Sequence, residues 1–143
     1  MSVLKINFPR LAISFFLLLL FLLFSCEHVG PIEPGLQANF TSIQENIFSQ
    51  RCALSGCHVG TTAPFGLDLS EGKAYGNLVN MPSGEIPTLM RVKPNDPDNS
   101  YLVLKLEGDP RIQGQQMPFG GPFLTASEIE KIREWISEGA ANN

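Results

Sequence analysis

Positive charge is scarce in this sequence, and so are the side chains from which catalytic and metal centres are usually built. Ten lysines and arginines stand against fourteen acids, and the 143 residues include two histidines, three cysteines and one tryptophan. Ten basic residues less Lys5 and Arg10, which lie at the extreme N-terminus, leave eight against fourteen, a balance of −6. That balance argues against nucleic acid as a partner and against electrostatic adhesion to anionic lipid. It mildly favours a partner with a basic docking face. The chain shows no nucleotide-binding loop, no nucleophile constellation, no internal repeat and no strand-like alternation of useful length. Its length leaves room for one domain.

Long apolar runs are confined to one place. Met1 to Arg10 carries Lys5 and Arg10 and no acid, and "LAISFFLLLLFLLF", Leu11 to Phe24, follows. A basic start, a short apolar stretch and a small residue before the break describe a secretory signal. As a helix this run rises about 21 Å, short of the roughly 30 Å hydrocarbon core, so a permanent span is disfavoured. Leu23-Phe24-Ser25-Cys26 resembles a lipobox, the bacterial motif cleaved just before a cysteine that receives lipid, although Phe24 is bulkier than the residue usual there. Residues 1–25 thus read as a lipoprotein signal, with Cys26 as the lipidation site. Acyl chains contribute about 0.8 kcal/mol per buried CH₂, and a lipidated N-terminal cysteine would supply the more than one chain that stable anchoring takes. Residues 26–39 read as a lipidated cysteine and flexible tether. "EHVGPIEPGLQAN" has two prolines, two glycines and no helical period, and its His28 reads as solvent-exposed.

Residues 40–143 read as the domain. Thr41 or Ser42 can cap a first helix, with Gln44 or Glu45 closing a capping box, and Phe40, Ile43, Ile47 and Phe48 recur at helical spacing. This helix is expected to run to about Gln50. "KAYGNLVNM" has room for one or two helical turns. In "NDPDNSYLVLKLEG" Asp96 is placed as N-cap, Pro97 at the first helical position and Gly108 as the stop. The last helix is the best specified: Thr125 caps, Glu128 closes the box, and Ile129, Ile132, Trp135 and Ile136 form a stripe before Gly139. Met90, beside Leu89, reads as core. The expectation is an all-α domain of three to five short helices with long loops. So few short helices bury little apolar surface against a large entropy cost, and such chains are often held by a disulfide, a metal or a cofactor.

The candidate for that missing centre is "RCALSGCH", Arg51 to His58. Covalent haem attachment needs two thiols whose S–H bonds add across two vinyl groups, and an imidazole for the iron. Cys-x-x-Cys-His does this in one turn. Here four residues separate Cys52 from Cys57, while the adjacency of Cys57 and His58, the more demanding constraint, is kept. A Cys52–Cys57 disulfide is also chemically reasonable outside the cytoplasm, though it gives no reason for His58. Zinc would want four ligands, or three and a water, and the spacing suits it poorly.

The order of the remaining segments bears on this choice. "NFTSIQENIFSQRCALSGCH", "GQQMPFGGPFLT" and "TASEIEKIREWISEGA" follow one another as a helix into the cysteine motif, a Met-Pro loop and a C-terminal helix with an aromatic residue. In this the chain resembles the class I cytochrome c domain over about Phe40 to Ala140. It also looks like a bacterial branch of membrane-anchored cytochromes with "GLDLS", "AYGNLV", "VKPNDPDNSYLVLKL" and "MPFGG" blocks. The resemblance implies a cytochrome c-like fold around one covalent haem c, with thioethers at Cys52 and Cys57 and His58 as the proximal iron ligand. It further implies Met117 as the distal ligand, with Met81 of Met81-Pro82 as the rival. Phe65, Leu67, Leu102, Leu106, Phe119 and Trp135 are expected either in the haem pocket or in helix packing. The function implied is one-electron transfer to redox proteins of the cell envelope, on the periplasmic or exterior face, and not enzymatic catalysis. A disulfide-stapled lipoprotein binding module without haem is the alternative.

Overall fold

The computed structural model describes residues 35–143. The expected signal, the expected lipidation site Cys26 and His28 lie outside the described residues. Four α-helices and no strand are present among them: α1, Phe40–Ile43; α2, Ala74–Leu78; α3, Tyr101–Glu107; and α4, Ala126–Ser137. The domain is therefore mostly helical. α1 continues without a break into π-helical turns, Gln44–Cys52, and 3₁₀ turns occupy Pro64–Gly66 and Pro97–Asn99. Isolated bridges tie Val79 to Val92, Pro82 to Met90 and Met90 to Ser100.

The last helix forms as its sequence predicts. Thr125 Oγ1 accepts the Glu128 N–H at 3.2 Å, and the Glu128 carboxylate accepts the Thr125 N–H at 2.7 Å. Two of the four orphan amides of the helix start are thereby satisfied reciprocally. Ile129, Ile132, Trp135 and Ile136 are all buried. α4 packs on α1, on α3 and on the 3₁₀ turn before α3. Trp135 lies 5.6 Å from the Phe40 ring, centroid to centroid, and its indole N–H donates to Ala141 O at 2.8 Å. Phe40 in turn meets Tyr75 edge-on at 5.2 Å. These rings join α1, α2 and α4 into one core.

Three expectations shift. The cap of α1 is Asn39, whose side chain accepts the Ser42 N–H at 2.8 Å. Thr41 instead donates its hydroxyl to Asn143 O at 2.8 Å, and the Ser42 hydroxyl accepts the Gln37 N–H at 3.0 Å. Leu36 and Ala38, just before α1, pack against the core. Asp96 does cap, but the turn it caps is the short Pro97–Asn99 segment, and α3 starts anew at Tyr101. Gly108 stops α3 in the left-handed region, φ 70°, where a Cβ is disfavoured. Met90 is only half-buried, and it is a bridge residue whose carbonyl accepts the Tyr101 N–H at 2.9 Å.

Candidate functional site

The π-helical turns set the site up. Widening the last turns of this helix brings the Ala53 N–H to Phe48 O, five residues back, at 2.7 Å. Such turns are rare and often mark functional positions. Beyond them the four-residue insert folds back on itself. The Cys57 N–H donates to Leu54 O at 2.9 Å and the His58 N–H to Cys52 O at 3.1 Å. Gly56, φ 80°, takes the left-handed turn this requires. Cys52 is half-buried, Cys57 is exposed, and both thiols are free. Burial pushes the Cys52 thiol up to about 11, against a smaller lowering by Arg51, so it is protonated at neutral pH.

Cys52, Cys57, His58 and Met117 share the wall of one cavity of about 460 Å³. Leu54, Leu67, Leu69, Leu78, Leu102 and Leu106 make its walls largely apolar. Met81 is not among the lining side chains and is 41% exposed. The residues expected in pocket or packing separate clearly. Trp135 belongs to the core, Leu106 is buried on the cavity wall, and Leu67 and Leu102 are partly buried there. Phe65 and Phe119 line the cavity yet are 62% and 70% exposed.

His58 is aimed by its backbone surroundings. Its Nδ1 lies 3.2 Å from Leu67 O. Donation to that carbonyl fixes the tautomer and leaves the Nε2 lone pair available, as in ligating histidines. Burial holds the imidazole below its ordinary pKa; the Leu67 carbonyl opposes this, and the charges of Arg91 and Lys105 add to it. The ring is neutral at pH 7, the form that can ligate.

The loop bearing Met117 closes on the carboxyl end of α3. The Met117 N–H donates to Lys105 O at 2.9 Å and the Gln116 side-chain amide to Leu106 O at 2.7 Å. Two carbonyls that a helix end leaves without partners are thus satisfied by the loop. A Cβ at Gly108 would sit 2.8 Å from Gln116 Oε1, so the Gln116 side chain that bonds Leu106 O would have to shift.

Sequence reasoning missed the polar residues of the cavity. Lys105, 8% exposed, pairs with Glu85 at 3.0 Å and donates to Gln113 O at 2.8 Å, while the Tyr101 hydroxyl donates to Glu85 at 2.8 Å. Arg91, 9% exposed, donates to Asn77 O at 2.8 Å and to Phe65 O at 2.7 Å. No carboxylate pairs with Arg91 among the described residues. The available signal was a lone charge in an apolar run, Lys105 in "YLVLKLEG" and Arg91 in "LMRV". A buried cation facing a cavity without a carboxylate partner is suited to an anionic group on whatever fills the cavity.

Phe65 adds strain to this wall. It sits in the left-handed region at φ 54°, ψ 22°, uncommon for a bulky residue and costly by about 1–3 kcal/mol. The Arg91 bond to its carbonyl holds it there. Gly84 lies beneath the ring, and a Cβ at that position would come within 2.6 Å of Phe65 Cβ.

Among the described residues no three His, Cys, Asp or Glu side chains converge as a metal-binding group. None of their helices is long and apolar enough to cross a membrane. No protein-family model, no curated protein and no solved structure matches the chain.

Proposed function

We propose that this chain is a lipid-tethered monohaem c-type cytochrome that transfers single electrons outside the cytoplasm. The observation that carries the proposal is the common cavity of Cys52, Cys57, His58 and Met117, which brings the Cys-x4-Cys-His segment together with a methionine 59 positions beyond His58. Its volume falls in the range of roughly 300–1,000 Å³ usual for small-molecule and cofactor sites.

The donor set fits a haem c. Cys52 and Cys57 supply two thiols for thioether attachment, His58 a neutral imidazole with its free nitrogen defined by the Leu67 bond, and Met117 a thioether sulfur. Arg91 supplies a buried positive charge for the carboxylates, and the leucine walls keep water away from the ring. Held by these residues, haem c supplies one-electron Fe(III)/Fe(II) chemistry, and a sulfur ligand favours the reduced state. With His58 and Met117 both engaged as its ligands, the group would keep no open position for substrate, and the role proposed is that of an electron carrier. Its cytochrome c-like fold, its envelope location and its redox-protein partners belong to the same proposal. Cys26 provides the lipid anchor.

Denaturing electrophoresis with a haem stain tests the reading, because only covalent haem survives it. A stained band at the mass of the mature chain is expected. An unstained band from cells competent in haem attachment would favour the disulfide-stapled binding module.

A further inference from the structure

The loop that carries Met117 is held at its two ends by different means. On the entry side the carbonyls of α3 do the work. On the exit side Phe119 and Phe123 are exposed, and Gly120 and Gly121 sit at φ 76° and 70°. Within residues 118–123 one internal bond forms, from the Gly121 N–H to Pro118 O at 3.0 Å. Among the described residues, the hydrogen bonds reaching this stretch from outside come from a single side chain, Arg51. Its Nη2 donates to Pro122 O at 3.0 Å and Phe123 O at 3.1 Å. Its Nη1 donates to Glu128 Oε1 at 2.8 Å, and the other oxygen of that carboxylate takes part in the Thr125 capping box.

We propose that Arg51 is the latch of the Met117 loop: one guanidinium fastens the exit arm to the residue that precedes Cys52 and to the first turn of α4. The inference rests on the haem reading for its consequence and on the hydrogen bonds alone for its mechanics. Arg51 is a positioning residue; it acts on Met117 through the loop. A planar fork with several donors is what the task needs, since two adjacent carbonyls and a carboxylate must be held at once. Lysine, a single charged point, can keep the carboxylate or the carbonyls but not the same set. Charge-assisted hydrogen bonds of this kind govern loop opening by about tenfold or more when removed.

The test compares Arg51→Gln and Arg51→Lys with Arg133→Gln in the full mature chain. Arg133 pairs with Asp98 and with Glu107, so its loss weakens helix packing without touching the loop, and it controls for a general loss of stability. Chymotrypsin cleavage after Phe119 or Phe123 reads loop opening whether or not haem is bound. It should accelerate about tenfold in Arg51→Gln, less in Arg51→Lys, and little in Arg133→Gln. Where the mass shows covalent haem, imidazole should displace the Met117 sulfur at correspondingly lower concentration in Arg51→Gln, with the haem still attached. Unchanged cleavage in Arg51→Gln, or equal acceleration in Arg133→Gln, overturns the latch. A mature chain without covalent haem overturns the haem reading instead, and leaves the cleavage result to decide the latch.

Discussion

Gly84→Ala is the substitution whose effect follows most directly from the geometry of the cavity wall. Gly84 is outside the left-handed region, so alanine can adopt its backbone, and the smaller entropy of the unfolded chain would by itself stabilise by about 0.4–1 kcal/mol. The new methyl group opposes this. It would meet Phe65 Cβ at 2.6 Å, Cδ1 at 2.8 Å and Cγ at 2.9 Å, where carbon atoms prefer about 3.5–4.0 Å. Phe65 Cβ cannot swing aside as a side-chain tip would, because the backbone carrying it is bonded to Arg91 through its carbonyl. The wall must move by roughly 1 Å, and overpacking of this sort costs about 1–3 kcal/mol. A net loss of about 1–2 kcal/mol is expected, with a fall in Tm of roughly 5 °C or more. Phe65→Gly removes the offending Cβ and the left-handed cost of about 1–3 kcal/mol, so in the double variant the alanine should no longer destabilise. Urea unfolding of the parent, both single variants and the double variant, at equal cofactor occupancy, gives the cycle. A coupling of about 1 kcal/mol or more is expected. Gly84→Ala as stable as the parent, or a cycle additive within about 0.5 kcal/mol, would refute the reasoning.

Further expectations concern ligand choice, acid stability and anchoring. On the proposed haem reading, Met117→Ala should keep the covalent haem, lose the sulfur-to-iron charge-transfer band of the ferric state and lower the reduction potential, whereas Met81→Ala, exposed and off the cavity wall, should change neither; reversed behaviour assigns the ligand to Met81. Glu128 has a folded pKa below the ordinary glutamate value: burial works to raise it, but the hydrogen bonds from Thr125 and the Arg51 charge outweigh burial. Its carboxylate therefore stabilises the fold above the unfolded pKa of about 4.3 and that contribution is lost as pH falls through the folded value, so Glu128→Gln should unfold with a shallower acid limb between about pH 5 and pH 3; an unchanged limb contradicts this. Cys26→Ser should leave the signal attached and abolish fatty-acid labelling, and a variant that matures and labels like the parent removes the lipobox.

How legible a feature was depended on how local its cause is. The α4 start was readable because Thr125 and Glu128 satisfy each other within one turn, and Trp135 because its stripe has one period. The cap of α1 was not, because Thr41 is drawn to Asn143 at the other end of the described chain, a contact no window around α1 contains. The π-helical turns before Cys52 obey no sequence rule that separates them from an ordinary helix. In the candidate site, the sulfur and nitrogen donors stood out by type and spacing. Arg51, Glu85, Arg91 and Lys105 did not, since a charged residue reads as solvated surface until its burial and its backbone partners are known. Phe65 and Trp135 look alike in sequence; the packing of Phe40 on one and the Arg91–Gly84 seat of the other separate them.

Mass spectrometry of the mature chain, made through its own secretory route and digested around Cys52–His58, tests the central claim most directly. One haem added to that peptide through both Cys52 and Cys57 is expected. A haem-free peptide with an intact Cys52–Cys57 disulfide would contradict it.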